Sequence, residues 1–115
     1  MSPVVAGLGL ILRELVGCVA AHHSEAYSVA HFTLVRGRTS ASSYNKKAEE
    51  TFLVIHGHGW VALGGRSEAV GPGSTVVVAP GVRHTVAADS AENLEFYAVS
   101  APAFEPEDFV LDTLR

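Results

Sequence analysis

The sequence predicts an all-β domain, a sandwich or barrel of short strands, and three observations carry that prediction. Turn signals recur about every eight to twelve residues, at Arg36-Gly37, Gly57-His58-Gly59, Gly64-Gly65, Gly71-Pro72-Gly73 and Pro80-Gly81. The runs between them are short and rich in β-branched and aromatic residues, which suit a pleated, half-buried surface. Hydrophobic residues make up 48% of the 115 residues and charged residues 17%. That is enough apolar surface for one core and too much for a disordered chain.

Taken in order, the chain opens with the apolar run Val4–Leu12. No basic residue precedes it, and Arg13 and Glu14 follow at once, so it does not read as a signal peptide. It is also about half the length of a membrane span of about 20 residues. A buried strand or short helix at an interface is the expectation, in a soluble cytoplasmic protein with no membrane partner. Ile11–Ala21 is a candidate helix, although Gly17 and the β-branched residues weaken it. Strands are expected over Tyr27–Val35, Thr51–His56, Trp60–Leu63, Ser74–Val78, His84–Ala87 and Leu94–Val99. Thr39–Ser43 is a tract of small residues. Glu105–Leu114 is a second candidate helix, with Pro106 suited to a first turn.

Alternation assigns the faces of the strand that starts near Glu50. Glu50, Phe52 and Val54 share one face, and Thr51, Leu53 and Ile55 share the other. Both are largely apolar, so one lines the interior and the other needs a second layer. In so short a chain a partner subunit is the economical cover, and a homodimer is expected. The net charge is −4, which excludes a basic nucleic-acid footprint. Residues 89–115 hold seven of the twelve acidic side chains against one basic residue, Arg115, and read as a solvated acidic face. The single cysteine, Cys18, excludes an internal disulfide.

Chemistry concentrates on two positions. His84 opens a strand after Ala79-Pro80-Gly81, and Glu50 opens another after Lys46-Lys47-Ala48-Glu49. An imidazole and a carboxylate facing one cavity form an acid/base pair or part of a metal site. The other histidines read as structural. His22 and His23 are adjacent and diverge, in a polar loop. His31 lies in opposite phase to Ala30, Phe32 and Leu34 and points outward. His56 and His58 straddle Gly57 on an outer rim. Tyr44 and Trp60 are candidates to shape a pocket, and Trp60 is equally a core candidate. Nucleophile elbows, phosphate-binding loops, dinucleotide glycine patterns and paired cysteines are absent from the sequence.

The spacing of these residues resembles the two motifs of the cupins. Gly37, Ser43, Asn45, Glu50 and Gly57 follow the first motif over 37–57, and Gly73, Ala79, Gly81, His84 and Ala88 follow the second over 73–88. The resemblance covers about residues 28–108. It implies that 1–115 forms a single cupin domain, a jelly-roll-like β-barrel of two packed antiparallel sheets with minor helical turns at the termini.

The sequence departs from that family at the metal site. The family uses three histidines and a glutamate; two of the histidines are here Ser43 and Asn45, and only Glu50 and His84 match. The expectation is therefore no cofactor. Were a metal held, Glu50 and His84 would hold it, with Asn45 as a weak third ligand. What remains is a small-molecule pocket with His84 and Glu50 as catalytic acid/base residues. Ser43 and Asn45 would bind a substrate oxygen, and Phe52, Val54, Val86 and Phe96 would form an apolar wall. That set suits a metal-independent isomerase, cyclase or lyase moving protons on a carbonyl compound in a biosynthetic pathway. The alternatives are a metal-dependent oxygenase with a reduced ligand set and a non-catalytic ligand-binding cupin.

Overall fold

A computed structural model describes residues 4–5 and 9–112. Twelve strands and one short 3₁₀ turn account for the described elements. In chain order the strands are β1 (Val4–Val5), β2 (Leu10–Gly17), β3 (His22–His23), β4 (Ser28–Leu34), β5 (Ser43–Asn45) and β6 (Glu49–His56). They continue with β7 (Gly59–Leu63), β8 (Arg66–Val70), β9 (Thr75–Val78), β10 (His84–Ala88), β11 (Leu94–Ala101) and β12 (Phe109–Leu111). They form two facing sheets. One has the order β1-β2-β4-β11-β6-β9 with β3 alongside β2, and the other the order β12-β5-β10-β7-β8. The sheets stack as a jelly-roll-like sandwich and do not close into a continuous barrel. No helix among the described residues is long and apolar enough to cross a membrane.

Cross-strand register sorts the interior into rows that shrink in size toward one end. The first row pairs Leu34 with Leu10 and Leu94, and the second aligns Leu12, Phe32, Phe96 and Val54. The third aligns Glu14, Ala30, Ala98 and Phe52, and the last Ser28, Ser100 and Glu50. Leu34, Leu94 and Val61 are essentially inaccessible at the filled end. Alanine and serine at the other end are too small to meet the facing sheet, so that end stays open. The same alternation puts Phe52 and Val54 inside, while Leu53 and Ile55 are 40% and 42% exposed on the outer face. Val77 of the neighbouring β9 joins them there.

Both candidate helices are corrected. Ile11–Ala21 is mostly β2, which pairs with β4 from Leu10↔Leu34 to Val16↔Val29. Its β-branched residues favour that ladder, and its period is 2, with Leu10, Leu12 and Glu14 turned inward. Glu105–Leu114 yields only the 3₁₀ turn Pro106–Asp108, and then β12 pairs with β5. The Asp108 carboxylate stops the helix by accepting the N–H groups of Lys47 (2.7 Å) and Ala48 (3.1 Å). The acidic segment is thus partly a set of staples: Asp112 also takes Arg83 at 3.2 Å. Of the apolar run Val4–Leu12, Val4–Val5 pairs with Ile11–Leu12 as an antiparallel hairpin, and residues 6–8 lie outside the described ones. Trp60 is exposed rather than core.

Gly57 turns the chain between β6 and β7 with φ +83°, and a Cβ there would collide with the Asn93 carbonyl oxygen. Gly64 has φ +58° but open space around it. Gly57→Ala should therefore destabilise the fold by about 1–3 kcal/mol more than Gly64→Ala, which meets only the backbone penalty. Urea unfolding of both variants measures the difference.

Candidate functional site

The open end of the sandwich is a cavity of about 380 Å³ between the sheets. Its walls are mainly apolar, built from Leu12, Phe32, Phe52, Val86 and Phe96, with Phe104 and Phe109 at the C-terminal side. Phe32 stacks on Phe96 at 5.2 Å between centroids, and Phe52 meets Phe96 edge-on at 5.3 Å. Ser43, Asn45, Glu50 and His84 all line this cavity. Two strands of one sheet and one of the other bring them there. β5 supplies Ser43 and Asn45, β10 supplies His84 directly opposite Ser43, and β6 supplies Glu50.

His84 is held from both sides. The turn before β10 closes with Val82 N–H donating to the Ala79 carbonyl at 3.2 Å. Gly81 N–H, at φ +81°, donates to the Asn45 carbonyl at 2.7 Å. That turn presents the Val82 carbonyl to His84 Nδ1 at 3.1 Å. A carbonyl only accepts, so Nδ1 carries a hydrogen and the tautomer is set. Nε2 then faces Glu50 Oε1 at 3.3 Å. When the imidazole is protonated, its Nε2–H points at Glu50 Oε1; when it is neutral, Nε2 presents a lone pair there. The Phe52 ring flanks the imidazole at 5.7 Å and keeps water off one face.

Burial disfavours the imidazolium, and it is the largest influence on His84. The hydrogen bonds to Glu50 and to the Val82 carbonyl, with the negative charge of Glu50, together outweigh it and raise the His84 pKa.

Other expected positions fall elsewhere. Val54 is inward and shares its row with Leu12, Phe32 and Phe96, which line the cavity, but at the β6 end of that row it packs in the core instead. Tyr44 points outward under the Arg83 guanidinium, 5.0 Å from its ring, and neither it nor Trp60 lines the cavity. His31 pairs with Glu95 (3.2 Å) on the outer face and His56 with Glu92 (3.0 Å). His22 and His23 are exposed, and His58 packs over Gly71. Sequence reasoning missed Glu14, Phe32 and Ser100 as lining residues. Their signal was the inward phase of β2, β4 and β11, which for Glu14 the helical reading of its segment hid.

The donors do not fit a tightly held transition metal. There is one imidazole, with only Nε2 available, and one carboxylate already facing it; a hydroxyl and an amide complete the set. Among the described residues no three His, Cys, Asp or Glu side chains converge.

A histidine raised in the fold adds stability that is full below its unfolded value, about 6.5. That stability is lost as the pH climbs through the folded value. The stability advantage of wild type over Glu50→Gln should accordingly shrink as the pH rises through this window. The ¹H–¹⁵N titration of His84 should lie above the ordinary imidazole value in wild type. In Glu50→Gln it should fall below that value, because burial then acts with little opposition.

A model of the family described as "Cupin domain" matches residues 30–100. No curated protein matches the chain. Among solved structures, a variant of Streptomyces Pac13 with uridine superposes with a TM-score of 0.81 at 19% identity, over 98% of this chain and 85% of that one. Another structure of Pac13, described as a unique nucleoside dehydratase, gives 0.78 at 20% over 96% and 83%. KdgF from Halomonas sp. gives 0.75 at 17% over 89% and 88%. The DMSP lyase DddQ from Ruegeria pomeroyi gives 0.78 at 17%, covering 89% of this chain and 51% of that chain. At such identities the likeness speaks for the fold. With the family model matching more than half of its length, this chain belongs to the cupin domain family.

Proposed function

We propose that this cupin is a metal-independent enzyme that transfers protons on a small carbonyl compound, as an isomerase, cyclase or lyase. One observation carries the reading: a buried His84–Glu50 pair, its Nε2 and Oε1 3.3 Å apart, faces an apolar cavity. In that reading the neutral imidazole takes a proton from the carbon next to the carbonyl on its Nε2 lone pair, and the imidazolium so formed is stabilised by Glu50. Asn45 and Ser43 donate hydrogen bonds to the oxygen as it becomes an enolate. The proton then returns to a different atom, or a leaving group departs from the next carbon. A nucleoside dehydratase and a DMSP lyase are among the structural neighbours, which is compatible with a lyase reading. The fixed Nδ1–H keeps Nε2 aimed at Glu50 through both steps.

The test needs no named substrate. Carbonyl compounds incubated with the protein in D₂O should exchange their α-hydrogens faster than in buffer, read by ¹H NMR. His84→Ala should lower that catalysed rate by about 10²–10⁴-fold, and Glu50→Gln by less. Asn45→Ala should reduce kcat more than it raises KM. The rate should survive exhaustive chelation. Loss on chelation with recovery on adding a divalent ion would point to the metal-dependent reading instead, and binding without exchange to a ligand-binding cupin.

We also infer a homodimer in the cytoplasm, formed through the outer face of β6 and β9. Leu53, Ile55 and Val77 leave a continuous apolar patch there that a second copy would cover. Light scattering at micromolar concentration should give twice the chain mass, and a double change of Leu53 and Val77 to Lys should give monomers.

A further inference from the structure

The proposed chemistry leaves a buried carboxyl group of the cavity without a task. Glu14 lines the cavity from β2 and is only 8% exposed. Its Oε1 accepts a hydrogen bond from Val19 N–H at 3.3 Å. Among the described residues no Lys, Arg or His forms an ion pair with it. Among the described residues no fully buried side-chain oxygen lacks a partner, so the second Glu14 oxygen, with no hydrogen bond of its own, keeps some exposure.

The fold maintains this arrangement at two further points. Glu14 keeps the inward phase of Leu10 and Leu12, and the β2–β4 register slips only after it, where Leu15 is an extra residue. Gly17 then passes under the carboxyl group, where a Cβ would lie 2.7 Å from its carbon. The missing Cβ of Gly17 leaves room for the carboxyl group.

The row that holds Glu14 ends at Phe52, which packs on His84, and its middle members are Ala30 and Ala98. Three interstrand steps of about 4.8 Å separate the two ends, about 14 Å before curvature and side-chain reach shorten it. Between them lie two methyl groups, with the Phe32–Phe96 stack in the adjacent row. A cavity with an acceptor at one end, a proton pair at the other and a smooth apolar floor between them favours a bifunctional ligand.

We propose that Glu14 is the specificity-determining residue of this cavity, receiving a hydrogen-bond-donor group, a hydroxyl or an ammonium, of a ligand whose carbonyl lies at His84. This rests on the carbonyl reading of the site. The ligand class is a compact, largely apolar carbonyl compound with one donor group at the end remote from the carbonyl. Glu14 binds and positions it and takes no part in proton transfer.

Three probes of one shape test this: 4-methylacetophenone, 4-(hydroxymethyl)acetophenone and 4-(aminomethyl)acetophenone, titrated into the protein and followed by ¹H–¹⁵N spectra. At least one donor-bearing probe should bind wild type at least about tenfold more tightly than the methyl probe, as a hydrogen bond to a charged group supplies. Glu14→Leu should bring it to the affinity of the methyl probe. Glu14→Gln keeps shape and one acceptor oxygen, so it stands in if the leucine variant does not fold. A hydroxymethyl preference kept in Glu14→Gln supports the assignment with a hydroxyl, and an aminomethyl preference lost there supports it with an ammonium. His84→Ala should lose deuterium exchange yet keep the preference. Equal affinities in wild type, or a preference that survives Glu14→Leu, would overturn the role of Glu14 while exchange at His84 leaves the acid/base reading standing. Failure of all three probes to bind, together with absence of exchange, would overturn both.

Discussion

The cross-strand register of the larger sheet is the constraint on which the site depends. Because side chains alternate and strands pair residue against residue, each interior row has one character. Leucines and phenylalanines meet the opposite sheet at one end, and alanines and serines fail to reach it at the other. A slip of one residue would turn Phe52 and Glu50 outward and Leu53 and Thr51 inward, removing both core and site at once. The cavity is therefore a consequence of side-chain size along aligned strands. Ala30 and Ala98 matter for the volume they leave, as Leu34 and Leu94 matter for the volume they fill.

Within that volume the placement of one proton is the central electrostatic fact. Taking an imidazole out of water disfavours its charged form, and an isolated buried histidine would be neutral. Here the carbonyl of Val82 and the carboxyl of Glu50 occupy the two ring nitrogens, and both ask for hydrogen. The turn Ala79–Val82 is tied to the strand that carries Asn45 by the Gly81–Asn45 hydrogen bond. The group that fixes the histidine and the group expected to hold the substrate oxygen are thus one mechanical unit. A disturbance of the Pro80-Gly81 turn would move both.

The C-terminal segment shows how charge and packing divide between surface and site. Asp108 and Asp112 tie it to the 46–48 loop and to Arg83 and Ser42. Ser28 accepts the Phe104 N–H at 2.9 Å and fixes the start of the segment to β4. Phe104 and Phe109, edge to face at 5.8 Å, then border the cavity with their rings partly exposed. Acidic residues that look like a solvated tail in the sequence secure an aromatic rim around the cavity.

Sequence alone determined the strands of the motif region, the inward phase of Phe52, and the four polar positions Ser43, Asn45, Glu50 and His84. These are properties of short segments: alternation, turn chemistry and the spacing of two motifs that each span two strands consecutive in the chain. It could not separate Val54 from Phe52, because both share a face and only the opposite sheet decides which inward side chain borders the cavity. Nor did it find Glu14 or the strand that carries it. A stretch such as Ile11–Gly17 is marginal as a helix in isolation, and pairing with β4 across the intervening chain makes it a strand. Whether a carboxyl group faces water or a cavity is a matter of what stands opposite it. For Glu14 that is Ala30 and Ala98 in adjacent strands, and their proximity exists only in the folded sheet.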